Sequence, residues 1–445
     1  MNILQVVTSD FGGGAESSAL NLFRSYRTRG HGSWLVVGHK VGTDPDVLPL
    51  PNDRYRNVVA RAALALGRVV EEKTGPGAFR YFQILSQLTE PIRNYHRLRG
   101  HDARGYPGSE HLLATVPGAR MMDVVHLHNL HGGYFDLGAL PSISRQVPTL
   151  IDVRDMWLVT GHCGYSMNCG KWETGCGHCP DLRIYPRIWT DGTAANWRRR
   201  RLLFQQSRLY VSTPSRRMLD TFQRSGLECR RAQVVPNAID LGVYFPGSQI
   251  EAREQLGLPK AARIVLFTAQ SAFKDYGFMV RALERVRGEG KEQLLFVCLA
   301  RTDADRTLGA RLLIHRPFVK DLSVMAAYYR AADVFIHAAK HEVFGKTLVE
   351  SQACGTPVVG VDEGGISETF VAGETGFLVQ YTDPAEMASK VDVLLSDPGL
   401  RTRMGQAGIA HARARFGLER QTSDFLRYYG EMAEDFREAS AHGRI

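Results

Sequence analysis

His337-Ala338-Ala339-Lys340-His341-Glu342-Val343-Phe344-Gly345-Lys346-Thr347-Leu348-Val349-Glu350 runs on through Ala353-Cys354-Gly355-Thr356-Pro357-Val358-Val359 to Gly364-Gly365-Ile366-Ser367-Glu368. The apolar run Val334–His337 reads as a strand, and a loop carrying Glu342 follows it. A helix then starts near Gly345–Thr347 and carries Glu350 about one turn in. The first N–H groups of a helix have no partners inside it, so such a start suits an anion such as a diphosphate. Gly345 lets the backbone approach closely. A carboxylate at Glu350 is placed to accept hydrogen bonds from ribose hydroxyls, and Glu342 would sit beside the phosphates. Two glutamates eight positions apart carry little weight alone, because a surface Glu and a helix-capping Glu give the same spacing.

Outward from this stretch, short β-branched apolar runs alternate with amphipathic ones, the pattern of parallel sheets wound with helices. In the first half, strands are expected at Ile3–Val7, Trp34–Val37, Val124–Leu127, Thr149–Val153, Arg208–Ser212 and Gln233–Val235. Helices are expected over Ala15–Arg29, Tyr55–Glu72, Tyr134–Ser144, Ala194–Gln206 and Ser215–Ser225. The pattern breaks near Pro236–Asp240, as an interdomain linker would. A second winding has strands expected at Arg263–Thr268, Leu294–Leu299, Val334–His337 and Pro357–Gly360. Its helices are expected near Tyr276–Arg287, Leu322–Ala331, Thr347–Ala353, Pro384–Leu395 and Gly399–Arg415, and a last one, Leu418–Glu438, has no strand after it. The expected fold is α/β with two wound domains. Residues 1–240 form the first, with a helical insert at 53–115 and a Cys-rich insert at 162–180; residues 241–417 form the second; 418–445 is a helix packing back on the first. Ligands in open α/β sheets bind outside the strand carboxyl ends, so a cleft faced by both sheets is the expected site.

The chain has 445 residues, 44% hydrophobic and 23% charged, enough for two cores. Its net charge of +9 is too small for a polybasic nucleic-acid binder, so no nucleic-acid partner is expected. The charge suits an anionic ligand or transient contact with an anionic membrane surface. Met1–Val7 reads as a strand and not as a signal peptide, and no apolar run reaches the roughly 18 residues of a membrane span. Seven cysteines, an odd number, argue against a disulfide framework. The expected location is cytoplasmic, including the inner face of the membrane.

The Glu342–Glu368 segment resembles the carboxyl-terminal signature of retaining family 4 glycosyltransferases (glycosyltransferase group 1) of the GT-B fold. It has their E-x7-E pair, the Phe344-Gly345 step, the Ala353–Val359 run and the later Gly364-Gly365-Ile366-x-Glu368. The resemblance is to the exopolysaccharide-biosynthesis type and spans nearly the whole chain, with residues 53–115 as the exception. It implies two Rossmann-like domains facing a central cleft. It also implies a UDP- or GDP-linked sugar as donor, a saccharide or lipid-linked acceptor, hexose transfer with retention, and no catalytic metal. Residue by residue, it implies that Glu350 binds the ribose and that Glu342 lies near the transferred sugar. The backbone of Phe344, Gly345, Lys346 and Thr347 would meet the sugar and diphosphate. The family's Gly-rich turn after the first strand is matched here by Gly12-Gly13-Gly14, which places Gly13 and Gly14 near donor phosphate. Glycine triplets also mark ordinary turns.

Two departures matter. Where the family has a basic pair, this chain has Gln270 and Tyr276 flanking Ser271-Ala272-Phe273-Lys274-Asp275. Lys274 is the candidate phosphate ligand, and a solvated loop lysine is the alternative. Where close relatives carry His-Asp-x-Trp, this chain has Arg154-Asp155-Met156-Trp157. Arg154 and Asp155 are candidate catalytic residues; Arg154 either meets an anionic substrate group or pairs with Asp152 or Asp155.

His126-Leu127-His128-Asn129-Leu130-His131 follows a strand. Alternating histidines can bind metal, but no carboxylate or Cys is expected to complete a nearby set. An acceptor-side loop presenting His128 and His131 is expected, with structural histidines as the alternative. Cys163, Cys169, Cys176 and Cys179 form C-x5-C-x6-C-x2-C, with His162 and His178 able to replace one ligand. Structural zinc is one reading, and disulfides or free thiols are the others. The basic amphipathic stretch Arg54–Glu72 either lies on a membrane surface near a lipid-linked acceptor or packs on its own domain. Rival readings of the whole chain are a nucleotide-sugar epimerase, which would turn over donor without acceptor, a phosphorylase-like enzyme needing pyridoxal phosphate, and a non-catalytic scaffold of the same fold.

Overall fold

The computed structural model describes residues 1–75, 77–117, 121–270, 273–288 and 293–441. The chain divides into two compact units: Met1–Thr213 with Met218–Val234 and Thr422–Ile445, and Pro214–Arg217 with Val235–Gln421.

The first unit holds strands β1 (Asn2–Ser9), β2 (Gly32–His39), β3 (Val47–Pro49), β4 (Val124–Leu127), β5 (Thr149–Asp152), β6 (Leu209–Thr213) and β7 (Arg231–Val234). Their order is β3-β2-β1-β4-β5-β6-β7, and every neighbouring pair is parallel. Helices cover both faces of such a sheet, so its strands are apolar throughout and do not alternate. β1 shows this: Ile3, Leu4, Val6 and Val7 are fully buried, and so is the one polar residue among them, Gln5. The helices are α1 (Gly14–Thr28), α2 (Val58–Thr74), α3 (Ala78–Leu88), α4 (Pro91–Leu98), α5 (Leu140–Gln146), α6 (Lys171–Thr174), α7 (Thr193–Gln205) and α8 (Arg216–Arg224).

The helical insert is more than the single stretch expected. α2 lies tightly against α3, where a Cβ on Gly67 would come within 2.5 Å of Phe82 Cβ. α2 buries only Ala60, Leu64 and Gly67, and α4 buries no residue. Sequence reading missed α3, α4 and β3. Aromatic and β-branched residues interrupt the helical pattern of the first two, and β3 is three residues long at the sheet edge.

The second unit holds α9 (Gln249–Leu256), β8 (Arg263–Thr268), α10 (Tyr276–Leu283), β9 (Leu294–Leu299), β10 (Arg306–Leu308), β11 (Arg311–Arg316), α11 (Leu322–Ala331) and β12 (Val334–His337). α12 (Lys346–Ala353), β13 (Val358–Val361), β14 (Gly376–Val379), α13 (Pro384–Ser396) and α14 (Pro398–Phe416) complete it. The order is β10-β11-β9-β8-β12-β13-β14, parallel except for the β10–β11 hairpin. β10, β11 and β14 were not expected: β10 and β14 are short edge strands of three and four residues, and charged residues bracket the apolar centre of β11, which lies between β10 and β9. α15 (Leu418–Ala441) follows. From Thr422 it belongs to the first unit, where Tyr429 Oη meets His126 Nδ1 at 2.7 Å and Tyr26 Oη at 3.0 Å.

Each strand order reverses at one place, between β1 and β4 and between β8 and β12. The loops leaving the two strands at such a reversal part to opposite faces and leave a crevice at the carboxyl ends. The four loops concerned carry Gly12–Gly14, His128–Gly133, Phe273–Asp275 and Ala338–Gly345.

Candidate functional site

In the second unit, the loops after β8 and β12 are tied together by backbone pairing. Lys274 and Ala339 form an antiparallel bridge, Lys340 N donates to Phe273 O at 2.8 Å, and Asp275 N donates to Ala338 O at 3.0 Å. This pairing sets Lys274 opposite Glu342, and the ammonium and carboxylate form an ion pair. His337, the last residue of β12, joins them, with Nε2 3.3 Å from Glu342 Oε2 and 3.3 Å from Lys274 Nζ. Burial alone would raise the Glu342 pKa, but Lys274 and His337 hold it well below the usual carboxylate range. Burial and then the Lys274 charge push the His337 ring down to about 4. At neutral pH Glu342 is therefore ionised and His337 neutral.

Gly345 precedes α12 at φ 89°, a left-handed conformation that favours glycine. No side chain caps the helix start. Thr347 Oγ1 lies 3.3 Å from His337 Nδ1, so the first turn of α12 adjoins the cluster. Phe344 turns its ring inward against Phe416, leaving only its backbone for a ligand. Glu350 is buried; Tyr329 Oη donates to its Oε2 at 3.0 Å, and burial pushes its pKa up against the opposing charges of Lys346 and Lys274. Lys274 thus acts electrostatically on both glutamates.

Gly364 and Gly365 buttress the Glu342 loop from below. A Cβ on Gly364 would lie 1.9 Å from Glu342 O, and one on Gly365 2.1 Å from Val343 O. Gly365 N donates to Glu342 O at 2.8 Å. The Gly-Gly pair is what allows these two backbones to touch. Tyr276, at the departure from the family pattern, packs under the Arg301 guanidinium at 3.7 Å and meets His315 Nε2 at 3.0 Å. Ser271 and Ala272 lie outside the described residues.

In the first unit, Gly12–Gly14 are exposed, and Gly13 caps α1 without a side-chain hydrogen bond. The histidines after β4 divide. His128 is fully buried and pairs with Gln5 Oε1 at 3.0 Å, so it is not the open acceptor-side residue expected. Its N–H bonds Val6 O, continuing the β1–β4 ladder and drawing the side chain into the core. The expectation that no carboxylate joins these histidines is also overturned. Asp152 Oδ2 sits 3.9 Å from His126 Nε2 and 3.7 Å from His128 Nδ1. Asp152 lies at the end of β5, distant in sequence but adjacent in the sheet, and such registry is invisible to spacing. Among the described residues these three form a group whose ligand atoms all lie within 4.8 Å of one another, and the four cysteines do not. Asp152 is ionised by Arg154, whose Nε donates to Oδ2, and it also accepts from Ser212 Oγ at 3.1 Å. Arg154 is thus a partner of Asp152, one of the alternatives the sequence left open.

His131 is the histidine that reaches a surface. Its Nε2 meets Asp155 Oδ2 at 2.8 Å, while Asp155 Oδ1 accepts from Trp157 N at 2.9 Å. Burial lowers the His131 pKa, but Asp155 outweighs it and the net shift is upward. His131 borders a cavity of about 500 Å³, walled by Arg93, Arg104, Trp157 and Trp189 among others. No sequence pattern signals this cavity, because its lining is drawn from segments far apart along the chain, among them 87–106, 130–133 and 186–189.

All seven cysteines are free thiols. Cys163, Cys169, Cys176 and Cys179 line one small cavity of about 30 Å³ together with His162. Burial pushes the Cys163 thiol up to about 11, with Cys176 and Cys179 adding to the shift.

Comparison with known proteins agrees with this fold. Residues 248–411 match the family model "Glycosyl transferases group 1". A D-inositol 3-phosphate glycosyltransferase of Xylanimonas cellulosilytica is 33% identical over 228 residues, covering 48% of this chain and 54% of the relative. The chain spans about half the length of the curated relatives it first matches. Anabaena HepE in complex with UDP superposes with TM-score 0.62 at 16% identity, covering 97% of this chain and 100% of HepE. Sucrose-phosphate synthase from Thermosynechococcus elongatus gives TM-score 0.61 at 17% identity over 97% of this chain and 98% of its own. The fold is that of a GT-B protein with two Rossmann-like units. Residues 248–411 are similar to the group 1 glycosyl transferase domain.

Proposed function

We propose that this chain is a retaining hexosyltransferase that moves a hexose from a UDP- or GDP-linked sugar to a saccharide or lipid-linked acceptor in polysaccharide or glycoconjugate synthesis. The observation that carries this reading is the Lys274–Glu342–His337 cluster beside the uncapped start of α12, with Glu350 one turn further on. The N–H groups of Lys346 and Thr347 and the Lys274 ammonium hold the diphosphate and stabilise the charge that develops as it leaves. Glu342 orients the sugar hydroxyls and Glu350 accepts from the ribose. The bond from the sugar's anomeric carbon to the phosphate oxygen breaks, and the electron pair departs with the nucleoside diphosphate. The acceptor hydroxyl bonds to the same face of that carbon, and its proton passes to the departing phosphate oxygen. The fixed positive ends of the fold do the work of a metal, so none is invoked. HepE, with which this chain shares its fold, has been solved with UDP-glucose, which makes UDP-glucose the first donor to try.

The acceptor is best placed at a membrane surface. No helix of the described residues is long and apolar enough to cross one. The insert instead leaves Tyr81, Ile92 and Leu98 about three-quarters exposed, at 76%, 73% and 74%, with Val58, Val59, Leu66, Ile84 and Leu88 also in the open. Arg54, Arg61 and Arg68 flank α2 and line a shared surface depression. Apolar side chains edged by arginines suit the interface of an anionic bilayer.

Thermal-shift titration of the purified chain with UDP-, GDP- and ADP-sugars, followed by donor-hydrolysis assays with and without membrane extract, tests the reading. A stabilising donor that is consumed faster with extract supports it. No shift and no turnover with any nucleotide sugar would sink it.

A further inference from the structure

We infer that the cavity of about 500 Å³ in the first unit is a binding site for a phosphorylated saccharide or polyol, held by its phosphate on an arginine cluster supplied by the helical insert and by the stretch that follows the Cys-rich one. The inference rests on the transferase reading and names the class of its acceptor.

The cavity opens at the carboxyl end of β4, and its floor is His131-Gly132-Gly133. Gly132 leaves the strand at φ 107° and Gly133 at φ 78°, so the chain turns away and exposes backbone there. One wall is the segment from α3 through Tyr106, which brings Arg93, Arg97 and Arg104. The other is Pro186–Trp189, just beyond the Cys-rich insert, which brings Arg187.

Four guanidinium groups share this cavity with one carboxylate, Asp102. That carboxylate is already spent: its Oδ2 accepts from Trp157 Nε1 at 2.9 Å and pairs with Arg200. Arg93 is paired with Glu90, and Arg187 only stacks on Trp189 at 4.4 Å. Among the described residues Arg97 and Arg104 have no side-chain hydrogen bond or ion pair, and Arg104 Nε is buried without a partner. Asp136, whose charge also reaches Arg104, is engaged by Arg199 at 2.6 Å and by Gly105 N at 2.8 Å. The local field is positive enough to depress the neighbouring imidazoles: burial and then Arg104 lower His96 and His101. Gathering like charges in a half-enclosed space without counter-charge costs folding free energy, and an arriving phosphate relieves it. Arginines read phosphate through paired N–H donors. Trp189, exposed at the rim, offers a flat apolar face to a sugar ring. An uncharged saccharide would satisfy the aromatic wall and leave the guanidinium groups unmatched.

The phosphate can belong to a soluble sugar phosphate or to a lipid headgroup, and two arms separate these. In the first, glucose 6-phosphate and glucose are titrated by calorimetry into the full chain, native and as Arg104→Gln, Arg187→Gln and Arg104→Lys. In the second, flotation is measured with phosphatidylcholine vesicles with and without phosphatidic acid. Saturable glucose 6-phosphate binding at least tenfold tighter than glucose, weakened at least tenfold by either Gln variant and less by Arg104→Lys, supports a soluble ligand. Flotation that depends on phosphatidic acid and on both arginines supports a lipid-borne one. Equal binding of glucose and its phosphate, or indifference of both arms to the arginines, overturns the inference. UDP binding is followed in parallel on every variant: its retention shows the chain folded, and its absence from the native chain would sink the transferase reading and leave this cavity's result standing.

A separate observation carries a second proposal. His162 is almost wholly buried, its Nε2 has no hydrogen-bond partner, and its Nδ1 lies 3.9 Å from Cys179 Sγ, in the small cavity that the four clustered thiols also line. We propose that a thiophilic divalent cation, zinc in particular, is held here by thiolates of Cys163, Cys169, Cys176 and Cys179, with His162 as an alternate ligand. Binding would draw the sulfurs together and stiffen the segment whose Asp191 accepts from Cys179 N at 2.8 Å. Elemental analysis of chain purified without chelator should find about one zinc per molecule, with cobalt substitution giving tetrahedral thiolate bands. Loss of both in Cys176→Ser with Cys179→Ser would support the site. Seven titratable thiols in the native, metal-free chain and no cobalt spectrum would overturn it.

Discussion

Lys274 and Glu342 are 68 residues apart in sequence and form an ion pair where the second sheet's strand order reverses. The pair is shielded, with side chains 10% and 16% exposed, and His337 closes it on the inner side. In the proposed reading, Lys274 exchanges this internal partner for a donor phosphate at the uncapped helix start.

Removing one member of such a pair strands the other. Lys274→Met should lower unfolding free energy by about 2–4 kcal/mol, as breaking a buried pair does, while Lys274→Met with Glu342→Leu should recover part of the loss. Urea melts of the four corners of this cycle measure it. The single variant should also weaken UDP-sugar binding. Additive losses would show that the two side chains do not interact.

Glu350→Ala should raise the Kd for UDP about tenfold, the effect of losing one hydrogen bond to a charged acceptor, or about 1.4 kcal/mol. Glu350→Gln should fall between the two. Equal UDP affinity in native and Ala chains would remove Glu350 from ribose binding.

The His131–Asp155 pair gives a pH dependence with a definite sign. The folded His131 pKa lies above its ordinary 6.5, because Asp155 outweighs burial. A raised pKa contributes stability that is full below the unfolded value and fades as pH rises through the folded one. Native stability relative to Asp155→Asn should therefore be greatest near pH 6 and shrink by pH 8.5. The His131 imidazole resonance, assigned with His131→Gln, should titrate above 6.5 in the native chain and lower in Asp155→Asn. A native titration below 6.5 would contradict the pairing.

Gly364 sits at φ 56°, and a Cβ there would meet Glu342 O at 1.9 Å. Gly364→Ala should displace the Glu342 loop, cost about 2 kcal/mol or more from strain and clash, and reduce donor hydrolysis far more than Thr402→Ala, at an exposed position of α14. Matched activity and stability in the two variants would show that the close approach is dispensable.

The exposed face of α3 and α4 should carry membrane contact. Leu88→Glu with Ile92→Glu and Leu98→Glu should abolish co-sedimentation with phosphatidylglycerol vesicles, since each burial in a bilayer is worth about 1.5–3 kcal/mol. UDP binding should be unchanged. Undiminished sedimentation would point to another surface.

The second-unit site was largely legible in the chain. Glu342, Gly345, Thr347 and Glu350 lie within nine consecutive residues, and a strand, a loop and a helix start fix their relative placement locally. His337 was in view as a strand end but not as a member of the site; its position at the carboxyl end of β12 was the available signal. The first-unit site was not legible in the same way. His128 and His131 are three residues apart, yet one is sealed in the core and the other reaches the large cavity. Arg154 had equal claims on substrate and on Asp152 until the sheet set them side by side.

The amino-acid order alone determined the two wound α/β units, the glutamate pair and the glycine-led helix that follows it, because periodicity, turn chemistry and short-range spacing act within a few residues. Only the tertiary structure decided that His126 and His128 flank Asp152, that Lys274 faces Glu342, and that segments distant along the chain enclose a basic cavity. Those facts depend on parallel strand registry and on backbone-to-backbone approaches between segments tens of residues apart, and a linear pattern holds no record of such distances.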